Sequence, residues 1–228
     1  MIQQPRAFEK QIIKSVRLKY LLAFPRAYML DETRKFPLLF SLHGVGERGD
    51  NLNDLKRHGL PQFLETRDDF PFIVIAPQCP ADSDWSIEMD ALAELVEESK
   101  RICRVDESRV YLTGLSMGGR GALQLAALRP QQFAALVPIC PSRPEILKRP
   151  ERIAQLKSIP MWFFHGAQDT IIPVEHSIRL VDELRAIGAQ VQLTIYPDAK
   201  HNAWQRTYAN PELYAWLVQQ KRETDDIT

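Results

Sequence analysis

Val110-Tyr111-Leu112-Thr113-Gly114-Leu115-Ser116-Met117-Gly118-Gly119 is an apolar run that enters a glycine-flanked serine and leaves through the helix-forming residues 120–128. A Gly-x-Ser-x-Gly turn between a strand and a helix holds its serine on a sharply bent backbone. The flanking positions need glycine because any side chain there collides with the neighbouring strand and helix. The hydroxyl then projects outward, and the first N–H groups of the new helix face any negative charge that forms beside it. That geometry suits a nucleophile. An ordinary glycine-rich turn of an α/β sheet has the same local pattern, so the chemistry has to be read from partners elsewhere in the chain.

Outward from this turn, strand-like and helix-like segments alternate, the pattern of a mostly parallel central sheet with helices on both faces. Residues 36–43 form a continuous apolar run, as a strand buried on both faces requires, and residues 70–76 form another that Pro77 ends. Residues 89–103 carry Leu92, Leu95, Val96 and Ile102 at helical spacing. Strands are expected over 109–113, 133–139, 161–165 and 191–196. A helix is expected over 174–187, closed by Gly188, and a C-terminal helix from Asn202 or Pro211. At the N-terminus, residues 9–15 and 16–24 are expected to pair as an antiparallel edge, and residues 224–228 to fray. No repeat or Gly/Ser linker divides the chain, so residues 1–228 read as a single α/β domain.

Composition narrows the class. The chain has 228 residues, 45% hydrophobic and 25% charged, ordinary values for one domain with a substantial core. Lys plus Arg and Asp plus Glu number 29 each. No basic excess favours nucleic acid, and no run reaches membrane-spanning length, so neither partner is expected. The first residues lack the apolar core of a signal peptide, and Cys79, Cys103 and Cys140 are too far apart for a redox or metal pair. They read as buried reduced thiols of a cytoplasmic protein without a metal or organic cofactor. The oligomeric state is left open.

A serine needs a base, and the base needs a carboxylate to fix its tautomer. Three histidines follow Ser116. His165 closes a strand and reads as packing or bonding locally, whereas His176 lies in a helix with a solvent-facing role. His201 follows the last strand, in the loop Pro197-Asp198-Ala199-Lys200-His201-Asn202-Ala203-Trp204. Carboxyl ends of parallel strands open on the same side as the serine turn, which makes His201 the candidate base. Asp169 follows the preceding strand in His165-Gly166-Ala167-Gln168-Asp169 and is the preferred carboxylate. Asp198 competes by proximity but reads better as a turn residue. Leu42-His43-Gly44-Val45-Gly46 leaves an earlier strand where an oxyanion donor is expected. Val45 and Met117 are the candidate N–H donors, with Gly46 an alternative to Val45.

These blocks, with Glu47-Arg48-Gly49-Asp50-Asn51 after the first and Lys200-His201-Asn202-Ala203-Trp204 at the last, resemble the α/β hydrolase superfamily. They are most similar to lidless serine esterases of the phospholipase/carboxylesterase, dienelactone hydrolase-like and predicted peptidase type. The resemblance spans about residues 36–218 and implies a Ser116–Asp169–His201 triad, with Val45 and Met117 as the oxyanion hole. Dienelactone hydrolases proper carry a cysteine nucleophile, so Ser116 departs from them and points to ordinary esters. The 47–50 block departs from the simplest acyl-protein thioesterase pattern and so argues against a protein substrate.

Three further expectations concern the substrate. Residues 139–161 hold only a short Pro- and Arg-rich connection, with little room for a lid, so an open cleft for small or solvent-exposed esters is expected. Trp85 should hang over that cleft as an apolar wall, unless it pins its own loop. Glu47 and Arg48 form a local ion pair shaping the oxyanion loop or are plain surface charge, and Asp82 and Asp84 read as solvated. The expected activity is therefore a serine carboxylesterase. A peptidase or amidase using the same triad, and a catalytically silent binding protein of this fold, are the rivals.

Overall fold

A computed structural model describes residues 3–67 and 69–222. Seven strands form one sheet: β1 (Lys19–Ala23), β2 (Phe36–Leu42), β3 (Ile73–Gln78), β4 (Val105–Leu115), β5 (Ala135–Ile139), β6 (Met161–Gly166) and β7 (Val191–Tyr196). Their spatial order is β1-β3-β2-β4-β5-β6-β7, antiparallel only at β1. This is the α/β hydrolase fold, a mostly parallel sheet with helices on both faces.

Alternation along the buried strands sorts the core into two layers, because successive side chains leave a strand on opposite faces. Leu38, Phe40, Leu42, Ile73, Ile75, Leu112 and Phe163 face one layer, closed by α2 (Met89–Ile102), α3 (Met117–Leu128) and α5 (Glu175–Ala186). Leu39, Val74, Tyr111 and Phe164 face the other, under α1 (Gly59–Leu64), α6 (Trp204–Ala209) and α7 (Pro211–Gln219). The 14-residue α2 and the 12-residue α5 fall where the apolar spacing puts them. Gly188, at φ +80°, takes the left-handed turn that ends the α5 segment. Asn202 and Pro211 are both helix signals, since α6 and α7 are separate.

Three boundaries differ from expectation. Residues 9–15 form no strand, and β1 pairs antiparallel with β3 instead. In residues 9–15 the two isoleucines are adjacent, so a strand there could turn only one of them to the core; Ile12 and Ile13 are both exposed. β3 also runs through Pro77 to Gln78. Its pairing with β2 ends at Ile75, and only β1 accompanies it further, where a missing N–H matters less. β4 begins earlier and ends later than the apolar run, at Val105 and Leu115. The frayed tail expected at 224–228 lies outside the described residues.

The connection from β5 to β6 contains a 3-10 turn (Glu145–Lys148) and α4 (Pro150–Ala154). Leu147, Ile153, Leu156 and Ile159 sink into the core, and Arg143 reaches Glu183 of α5, so this segment packs down beside the sheet. Cys79, Cys103 and Cys140 are free and buried. No helix among the described residues is long and apolar enough to cross a membrane.

Candidate active site

Ser116 sits between β4 and α3 at φ 54° and ψ −115°, a conformation that an L-residue keeps only under constraint. Its N–H is tied to the carbonyl of Ile139 on β5 at 2.9 Å. The flanking glycines are required by close approach. A Cβ at Gly114 would lie 2.3 Å from the carbonyl oxygen of Gly118, and one at Gly118 would lie 2.1 Å from that of Leu42. The helix therefore starts directly against β2, and the serine has nowhere to go but outward.

His201 and Asp169 arrive from the ends of β7 and β6. His201 Nε2 is 2.9 Å from Ser116 Oγ, and His201 Nδ1 is 2.7 Å from Asp169 Oδ2. A carboxylate only accepts, so Nδ1 carries the imidazole proton and Nε2 presents its lone pair to the serine hydroxyl. The side chain of Asp169 is fully buried, and its Oδ1 accepts the backbone N–H groups of Ile171 and Ile172, each at 2.9 Å. The two loops are joined by the Gln168 N–H donating to the Ala199 carbonyl at 2.9 Å. Asp198 points away and forms a two-bond exposed pair with Arg206.

His165 bonds locally, as its strand-end position suggests, and its neighbours are those of the site. Nε2 donates to the Ile172 carbonyl at 2.9 Å and lies 3.3 Å from Asp169 Oδ2, while Nδ1 accepts from Ser177 Oγ at 2.8 Å. Burial holds its pKa below the ordinary value, so a neutral ring props the Asp169 loop. His176 is exposed. The Cys140 sulfur and the ligand atoms of Asp169 and His201 lie within 4.8 Å of one another. Burial pushes the Cys140 thiol up, and His201 Nδ1 is committed to Asp169, so this trio suits the hydrogen-bond relay better than a cation.

The loop after β2 is fixed from below. His43 Nε2 accepts the Cys79 N–H at 2.9 Å, so its proton is on Nδ1, which donates to the Gly44 carbonyl at 2.5 Å. Burial lowers the pKa of this ring too. Val45 and Met117 each begin a helical turn, where the N–H has no intrahelical acceptor. Val45 is 57% exposed.

Two expectations for this region need correction. Trp85 is 0% exposed and is no wall of an open cleft. Its indole packs on Gly121, where a Cβ would come within 2.7 Å, and its Nε1 donates to the His43 carbonyl at 3.0 Å. Its 3.0 Å bond anchors the backbone that carries Val45. Glu47 and Arg48 form no ion pair. Glu47 is buried and bonds His58, while Arg48 donates to the carbonyls of Val45 and Ser83. Asp84, read as solvated, pairs with Arg120.

The model of the dienelactone hydrolase family matches residues 83–216, more than half of the chain. The chain belongs to the dienelactone hydrolase family. Among curated relatives of this family member, the bifunctional acetylxylan esterase/xylanase XynS20E of Neocallimastix patriciarum is 26% identical over 185 residues, which cover 79% of this chain and 26% of the relative. A probable feruloyl esterase C of Aspergillus niger is 26% identical over 197 residues, covering 83% and 69%. The crystal structure of a thermostable esterase superposes with a TM-score of 0.77 at 33% identity, covering 91% of this chain and 60% of that one. The dienelactone hydrolase family chain thus spans about a quarter of the first of these curated relatives.

Proposed function

We propose that this chain is a serine carboxylesterase acting on small or solvent-exposed esters. The observation that carries the reading is the unbroken hydrogen-bond relay Asp169–His201–Ser116, at 2.7 and 2.9 Å, ending on a serine in a constrained turn. His201 Nε2 takes the hydroxyl proton as Ser116 Oγ attacks the acyl carbon, and Asp169 stabilises the imidazolium that forms. The N–H groups of Val45 and Met117 receive the oxyanion, each contributing about 3 kcal/mol in the tetrahedral state. The alcohol leaves with the proton from His201. Water, deprotonated by the same histidine, then cleaves the acyl-serine and releases the acid. The esterase names of the relatives agree with this chemistry. The packed-down β5–β6 connection supports an open site, without activation at a lipid surface.

The test is turnover of p-nitrophenyl acetate alongside the matching anilide, with fluorophosphonate labelling of the wild type and Ser116→Ala. Ester cleavage with labelling lost in the variant is expected. A folded wild type that neither labels nor cleaves the ester would refute the proposal, and faster cleavage of the anilide would reassign it to an amidase.

A further inference from the structure

Beside the triad stands a second imidazole held by a buried carboxylate. His58 Nδ1 lies 2.7 Å from Glu47 Oε1. The Glu47 side chain is 4% exposed, whereas that of His58 is 47% exposed. The Glu47 backbone carbonyl is itself fixed by Gln78 Nε2 at 3.0 Å, so the turn that carries the carboxylate is tied to β3. Trp204 contacts both imidazoles, standing edge-on to His58 at 6.0 Å and to His201 at 5.6 Å. Leu115, the residue before the nucleophile, touches both neighbouring loops: a Cβ at Gly44 would lie 2.8 Å from one of its methyls, and one at Gly59 2.7 Å from the other. His58 therefore belongs to the same rim as Ser116 and His201, one indole away from the base.

Resting on the esterase reading, we propose that His58 is a specificity-determining residue that accepts a hydrogen bond from a hydroxyl group of the ester. The carboxylate of Glu47 only accepts, so in the neutral ring the proton is on Nδ1 and the Nε2 lone pair faces outward. No hydrogen bond among the described residues engages that Nε2. A ring locked from behind, with one unpaired acceptor on an exposed rim, selects for a donor and against carboxylate or ether oxygens, which meet it lone pair to lone pair. The donor is a phenolic or aliphatic hydroxyl, carried by either the acyl or the alcohol part of the ester.

Two substrate pairs distinguish these sources: methyl 4-hydroxycinnamate against methyl cinnamate, and a monoacetylated glucose against cyclohexyl acetate. At mildly alkaline pH the wild type is expected to favour the hydroxylated member of one pair by about tenfold in kcat/KM, expressed in KM, the scale of one hydrogen bond. His58→Ala should bring that ratio close to one, and His58→Gln, whose side-chain carbonyl also accepts, should restore part of it. A wild type without preference in either pair overturns the proposal whatever the variants do. So does a His58→Ala variant that slows both members equally, which would make His58 only a support for Trp204. Loss of p-nitrophenyl acetate turnover in the wild type would instead remove the esterase reading and this proposal with it.

Discussion

Replacing Asp169 by Asn changes one atom, and its consequence follows from which oxygen is bonded to what. Oδ1 accepts two backbone N–H groups at 2.9 Å, and Oδ2 takes the His201 Nδ1–H at 2.7 Å. An Asn amide placed with its NH2 toward Ile171 and Ile172 would leave two buried N–H donors unpaired, costing about 2–6 kcal/mol in all. Its oxygen therefore stays on those donors in at least about thirty molecules for every one flipped. The NH2 then faces His201 Nδ1 and can only donate, so the imidazole proton moves to Nε2. There it points at Ser116 Oγ, and the base is lost although its position is kept. The expected fall in kcat on p-nitrophenyl acetate is about ten-thousandfold, or about 5.5 kcal/mol of barrier, with KM and the urea midpoint little changed. Asp198→Asn, which removes only an exposed pair with Arg206, should cost less than about twofold. An Asp169→Asn enzyme within tenfold of wild type, or an inactivating Asp198→Asn, would refute the assignment.

Other outcomes follow from the same geometry. Trp85→Phe removes the donor to the His43 carbonyl in a buried place and should lower stability by about 1–3 kcal/mol, read from urea unfolding, with KM unchanged; a raised KM at full stability would return Trp85 to the substrate. Burial lowers the pKa of both His43 and His165 in the folded chain, so below about pH 6.5, the ordinary histidine value, the unfolded chain binds more protons. Stability should be full above that value and decline as pH falls toward the lowered folded values, by up to about 1.4 kcal/mol per pH unit for each ring. His165→Gln should flatten that slope in urea midpoints, and an unchanged slope would exclude His165 as a contributor. Gly166→Ala would set a Cβ 2.2 Å from the Lys200 carbonyl oxygen, a backbone atom next to His201 that no rotamer change moves. A stability loss of about 3 kcal/mol and a fall in kcat of about a hundredfold are expected, checked by thermal unfolding and p-nitrophenyl acetate kinetics.

The proposed triad is legible because each member follows a strand of the sheet, and parallel strands deliver their carboxyl-end loops to one rim. Asp169 is preferred to Asp198 by strand order and by the turn character of the Asp198 loop, and Asp169, not Asp198, bonds His201. What failed to show was pairing between loops. Glu47 next to Arg48 reads as an ion pair in one dimension, yet the 3-10 turn Val45–Glu47 swings Glu47 inward to His58, eleven positions on, while Arg48 reaches Val45 and Ser83. Trp85 lies on a loop with Asp82 and Asp84, a polar setting that suggests exposure. Nothing in that composition reveals that Gly121, three positions after the serine motif, leaves the hollow its indole fills. The N-terminal edge differs from expectation for a related reason. The partner of β1 is β3, more than fifty residues away, and local alternation has no access to it.

The glycines suggest how the described residues hold the proposed triad in register. Gly118 meets Leu42 at the end of β2, Gly114 meets Gly118, and Gly166 meets the His201 loop, in each case main chain against main chain. Such contacts have no side-chain freedom to absorb an error, so strand spacing passes directly to the reacting atoms. The strained backbone at Ser116 costs about 1–3 kcal/mol, which its bond to Ile139 and the first turn of α3 help to offset. Two classes of substitution should then separate. Trimming a core residue such as Phe163 opens a cavity on the sheet face and lowers stability before it touches kcat. Adding a methyl at Gly114, Gly118 or Gly166 moves backbone at the rim and lowers kcat out of proportion to the stability lost. A series in which both classes fell on one line of log kcat against unfolding free energy would show that side-chain packing, and not the meeting of strand ends, sets the geometry of the site.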